Sequence, residues 1–97
     1  MARQSFPYTT FTTPTGDPLS EGFILIYVAD DAKSPDGLLC RGMTLRVELD
    51  ENGAVVSVPQ VWPTDVLEPS GVYYVLTSYT RTGELVVGPL KVEVESV

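Results

Sequence analysis

Histidine is absent from the 97 residues. With it go the commonest general base, the usual zinc ligand and every Ser-His-Asp or Cys-His arrangement for nucleophilic catalysis. Cysteine is nearly absent as well. Cys40 stands alone, so no internal disulfide staples the chain and a disulfide-rich secreted module is excluded. Set in an apolar run after Leu38 and Leu39, it reads as a buried, unreactive thiol rather than a nucleophile primed by Arg41. Basic residues are few and scattered: Arg3, Lys33, Arg41, Arg46, Arg81 and Lys91 face thirteen acids, for a net charge of −7. Neutralising phosphates needs clustered Lys and Arg, so neither a nucleic acid nor an anionic membrane is an expected partner.

Long apolar runs are missing too. The longest, residues 23–29 (FILIYVA), is far too short to span a bilayer, and no apolar stretch follows Arg3 as in a signal peptide. No glycine-rich loop leads into a helical pattern, so no phosphate cradle is expected. The acids lie in turns (Asp17, Glu21, Asp50, Glu51) or on outward strand positions (Glu48, Glu93, Glu95), which suits solubility better than a catalytic carboxylate pair. The loop Asp30-Asp31-Ala32-Lys33-Ser34-Pro35-Asp36-Gly37 invites a calcium reading, but an EF-hand frame counted from Asp31 puts Lys33 and Pro35 at ligand positions. A looser site borrowing Asp65 or Glu68 stands against the plainer reading, a solvated turn reversed at residues 34–37. No enzyme activity, cofactor or metal is expected.

What the chain does have is strand pattern. Short β-branched and aromatic runs alternate with Gly, Pro and Asp turns, and no segment carries a helical period. Residues 23–29 are apolar on both faces, as a central strand requires. In residues 44–50 Leu45, Val47 and Leu49 alternate inward, with Gly42 marking a bulge or kink ahead of them. Asn52-Gly53 is a strong hairpin signal, so residues 54–59 should pair back on that strand. Residues 71–80 form another strand, and a turn at 81–84 leads to a last one in which Leu90, Val92 and Val94 face in and Gly88-Pro89 makes a bend or edge. The expectation is an all-β fold, an immunoglobulin-like or fibronectin III-like Greek-key β-sandwich of six to seven strands. Residues 13–97 form its single domain, and residues 1–12 an N-terminal arm or edge strand.

The stretch VWPTDVLEPSGVYY (61–74) concentrates the only tryptophan, two prolines and two tyrosines. Leu67, Pro69, Gly71 and Tyr73 match the tyrosine corner of Greek-key sandwiches, whose hydroxyl reaches back to the backbone, and fibronectin type III domains carry a similar segment. Trp62 and Tyr74 are then the candidate surface aromatics, with Trp62 either covering the end of the core or binding a ligand. Phe6, Tyr8 and Phe11 are candidate assembly contacts, or ordinary core of one sheet.

A wider resemblance spans about residues 12–95. Gly16, Pro18, Leu19 and Gly22, then Val47, Leu49, Asp50 and Gly53, then Thr64, Asp65, Pro69, Gly71 and Tyr74 resemble the small β-sandwich domains of bacteriophage tail and tail-fibre structural proteins. The resemblance implies a non-enzymatic virion component made in a host cytoplasm. Its partners would be other virion structural proteins, with multiple copies or a homo-oligomer in a symmetric assembly. The rival from another class is a glycan- or ligand-binding β-sandwich module using Trp62 and adjacent loops.

Overall fold

The computed structural model describes residues 3–40, 42 and 44–96. Alternation accounts for its central sheet. In β2 (Phe23–Val28) Ile24, Ile26 and Val28 are buried, while Phe23, Leu25 and Tyr27 are half-buried on the other face. A strand apolar on both faces belongs inside a sheet. β2 lies between β5 (Leu45–Glu48) and β7 (Tyr74–Tyr79), and β8 (Leu85–Val92) adds the fourth strand, in the order β5-β2-β7-β8 with every pairing antiparallel. The register sets Ile24 against Val47 and Ser78, and Ile26 against Leu76, so these side chains share one face.

Two short ladders help cover that face. One pairs β1 (Gln4–Ser5) with β6 (Gln60–Val61); the other is the hairpin of β3 (Ala32–Ser34) and β4 (Gly37–Leu39). Phe6, Leu19, Ala32, Val61, Trp62 and Leu67 come from this covering layer to meet Ile24, Ile26, Leu76 and Val92 in one core. The result is an all-β sandwich. Each large apolar side chain fully buried there contributes about 1.5–3 kcal/mol, against the chain entropy lost on folding.

Eight strands lie among the described residues, beyond the six to seven expected. The excess comes from residues 32–39, too polar to show a strand period. Their reversal is the expected one, with the Ser34 hydroxyl donating to the Gly37 carbonyl oxygen and accepting from the Asp36 amide. Backbone bonds between Lys33 and Glu68 (2.7 and 3.0 Å) fasten this hairpin to the segment before β7.

At the Asn-Gly turn the Asp50 carboxylate accepts the amides of Asn52 (2.8 Å) and Ala54 (3.0 Å), and Gly53 takes φ +74°. Pairing back on β5 is brief, however. Leu49 meets Val55 and the Val56 amide reaches the Glu48 carbonyl oxygen (3.1 Å), while Ala54 and Val55 also pair with Thr10 and Thr9.

Two side chains expected inside are exposed. Leu45 (44%) is the first residue of β5, where the strand ends, and Leu90 (43%) follows an irregularity. Leu76 to Ser78 on β7 spans Leu90 to Val87 on β8, so β8 carries an extra residue at Gly88-Pro89. Leu90 keeps the inward parity of Val92, level with Leu76, but it stands on the edge strand next to this irregularity, where no further strand covers it. Val92 and Val94, beyond it, are buried as expected.

Candidate functional site

Residues 61–74 form the corner that returns the chain to the central sheet. After β6, Trp62 and Pro63 are buried, a single 3-10 turn covers Thr64–Val66, and Leu67 drops back into the core. The Glu68–Pro69 peptide is cis, and Gly71 turns the chain at φ +91° toward β7. Thr64 ties the corner to the last segment. Its hydroxyl donates to the Val94 carbonyl oxygen (3.1 Å) and accepts from the Val94 amide (3.0 Å), while the Thr64 amide donates to the same carbonyl (2.6 Å).

The tyrosine that pins this corner is Tyr74, a correction to the expected Tyr73. The Tyr74 hydroxyl donates to the Trp62 carbonyl oxygen at 2.8 Å from a buried position. Parity along β7 decides the matter, because Tyr74 points inward with Leu76 and Ser78. Tyr73 points the other way, half-buried, with the Lys91 ammonium 4.7 Å from its ring centre. Burial pushes the Tyr74 phenol up to about 12 and outweighs the opposing effect of its hydrogen bond to Trp62.

Trp62 is also corrected as a surface aromatic, being only 7% exposed. Its indole packs with Phe6 and Leu67 in the core cluster, because Pro63 and the 3-10 turn hold residue 62 over the end of the core. With Tyr74 it walls an apolar cavity of about 430 Å³, shared with Ile26, Val28, Leu39 and Val61. Cys40 lines the same cavity and is exposed, contrary to the buried thiol expected, since β4 ends at Leu39 before reaching it. Arg41, weighed as its neighbour, lies outside the described residues.

The N-terminal aromatics do not form a free arm. Phe6 is 1% exposed, its amide donates to the Pro59 carbonyl oxygen (2.9 Å), and β1 just before it pairs with β6. Phe11 is half-buried, with its amide bonded to the Gly53 carbonyl oxygen and its own carbonyl oxygen accepting from the Leu19 amide. Of the three, Tyr8 alone is exposed (47%), set edge-on to Phe6 with ring centres 6.0 Å apart. The structure thus withdraws Phe6 from the candidate contacts, because a buried ring cannot meet a partner without unfolding the segment.

The last strand, expected from Gly88-Pro89 to be bent or at an edge, is the edge of the central sheet. β8 ends the strand order, and Leu85 (57%), Val87 (38%) and Leu90 (43%) are exposed along it. The signal available was Gly88-Pro89, whose cis peptide and positive glycine φ (+121°) mark the break in the ladder.

Among the described residues, no three His, Cys, Asp or Glu side chains converge as metal ligands, and no helix is long and apolar enough to cross a membrane. Asp65, weighed as a cation ligand, instead accepts from the Ser96 hydroxyl at 2.6 Å. The chain matches no family model, no curated protein and no solved structure.

Proposed function

We propose that this chain is a non-enzymatic assembly module of a bacteriophage particle, as a tail, fibre-base, adaptor or capsid-decoration component acting through protein–protein contacts. The observation that carries the reading is the edge strand β8, with three large aliphatic side chains exposed within six residues. Exposed apolar groups clustered on a sheet edge suit strand-to-strand or side-chain docking. The interruption at Gly88-Pro89 limits indiscriminate pairing, because proline offers no amide to a neighbouring strand. The viral setting rests on the resemblance of the turn and corner residues described above.

The test is incorporation. Particles would be assembled from the products of the reading frames flanking the gene, with wild-type chain or with Leu90→Lys. The reading expects wild type to co-purify in many copies and the variant to fold but be depleted. Equal incorporation of the two would remove the role of this edge, and wild-type chain absent from particles would end the assembly reading.

A second reading, a ligand-binding module, draws on the cavity beside Trp62, whose size falls within the range of small-molecule sites. Its form changes from the one expected. A ring this buried cannot serve as an exposed stacking platform for a sugar, so the ligand would be a small apolar molecule. Calorimetric titration of wild type against Trp62→Phe separates the two readings, since only a ligand module loses a binding isotherm.

A further inference from the structure

The second face of the central sheet is built differently from the core face. Phe23, Leu25 and Tyr27 of β2 are in register with Tyr79, Thr77 and Val75 of β7, and Phe23 and Leu25 with Glu48 and Arg46 of β5. None of these side chains belongs to the core cluster, and the aromatics among them are half-buried. The face is therefore a band of aromatic and aliphatic groups edged by charge, the composition found at protein contacts.

The Phe23 ring is occupied on its flat sides. Phe23 stacks on Tyr79 (centres 4.9 Å apart, planes at 16°), and the Arg46 guanidinium lies 3.9 Å from the Phe23 ring centre. Glu48 holds that guanidinium at 2.6 Å. On the other border Lys91 lies over Tyr73 and pairs with Glu93 at 3.2 Å. A sugar needs a free ring face to stack on, and neither Phe23, between Tyr79 and Arg46, nor Tyr73, under Lys91, is an open platform. The side chains are also held before any partner arrives, which lowers the ordering cost of binding.

Charge selects the partner. The two borders carry two cations and two carboxylates, and so are neutral. The rest of the chain therefore holds the whole net charge of −7. Two copies repel one another least where these neutral borders meet. The pattern is also self-complementary. Arg46 and Glu48 lie on the same side of β5, one residue to either side of Val47, which is level with Ile24 and Ser78.

We propose that this face packs on the same face of a second copy, about a two-fold axis crossing the strands at the level of Val47, Ile24 and Ser78. That operation sets Arg46 of each copy against Glu48 of the other, and Phe23 against Leu25. Such a contact is isologous, as two-fold interfaces require, and sheets stacked about 10 Å apart leave room for interleaved side chains. The inference rests on the assembly reading and deepens it by naming a second copy of the chain as one partner.

Sedimentation equilibrium tests it. Wild type is expected to dimerise reversibly in the micromolar to millimolar range. Arg46→Glu and Glu48→Arg, both at exposed positions, should each weaken the dimer at least about tenfold by setting like charges against each other. Mixing the two single variants restores attraction, because the double carboxylate of one chain then meets the double arginine of the other. The double exchange R46E/E48R restores a homodimer for the same reason. Circular dichroism melting checks that every variant folds. A monomeric wild type at millimolar concentration overturns the proposal, and so does a dimer indifferent to both single exchanges. A monomeric wild type that still enters particles defeats this contact and leaves the assembly reading standing; a dimer that is absent from particles does the reverse.

Discussion

The Tyr74 hydroxyl donates to the carbonyl oxygen of Trp62 at 2.8 Å, joining the first residue of β7 to the start of the corner twelve residues earlier. Both side chains are buried, so this bond closes the corner without solvent competition. Replacing Tyr74 by Phe leaves the Trp62 carbonyl without that partner and should cost about 1–3 kcal/mol at neutral pH. Urea unfolding of Tyr74→Phe against wild type measures this directly.

The same tyrosine gives the fold an alkaline limit. Its phenol is held neutral to about pH 12 in the folded chain, against an ordinary value of 10.0. The folded-state value is the higher one. The associated stability, roughly 2–3 kcal/mol, is therefore fully present below pH 10 and is lost as pH rises through 12. Wild type should lose its advantage over Tyr74→Phe across that window. Parallel stability curves for the two proteins would contradict this.

Trp62→Ala empties the end of the core. A buried tryptophan truncated to alanine costs about 3–5 kcal/mol, and each kcal/mol lowers the melting temperature by about 4–8 °C in a domain this small. Differential scanning calorimetry should therefore show a fall of at least about 12 °C. A change confined to a few degrees would mean the indole contributes little to packing.

Two glycines with positive φ should respond unequally to alanine. At Gly53 (φ +74°) a Cβ would run into the Phe11 carbonyl oxygen and lie 2.9 Å from the Leu19 amide nitrogen, both backbone atoms that cannot swing away. At Gly16 (φ +93°) it would meet nothing within 4 Å. Gly16→Ala should cost about 1–2 kcal/mol for its conformation alone, and Gly53→Ala clearly more. Chemical denaturation of the pair checks the order.

Ser78 offers a gain. Its hydroxyl oxygen is buried and has no hydrogen-bond partner, in a side chain facing Ile24 across the sheet. An unsatisfied buried hydroxyl costs about 1–3 kcal/mol, so Ser78→Ala should leave stability unchanged or raise it. A loss beyond about 1 kcal/mol in a denaturant series would show that the hydroxyl has a partner after all.

What the sequence reveals follows the range of the forces involved. β2 is legible because apolar side chains on both faces demand a central position. The turns at 34–37 and 50–53 are legible because their reversals are closed by hydrogen bonds within the turn itself. Tyr73 and Tyr74 could not be told apart by pattern. β7 carries apolar residues on both faces, so alternation does not say which side is inside. Pattern left Phe6 open between an assembly contact and ordinary core because what buries it, Pro59 and the β6 strand, lies more than fifty residues away. Leu90 is level with Leu76 as alternation expects, and it is exposed because it stands on the edge strand of the sheet, a position that pattern does not encode. The exposed row on β8 and the cation-covered rings of the opposite face depend on strand order, which short β patterns do not encode.

As an assembly module of the kind proposed, the chain would lend its central sheet to other protein subunits. The most direct measurement is amide hydrogen exchange of residues 85–92 in the free chain and in assembled particles. The account predicts fast exchange at the β8 amides that point away from β7 in the free chain and marked protection of them after assembly, with residues of the Asp50–Gly53 turn unchanged. Assembled chain whose β8 exchange matches that of the free protein would contradict it.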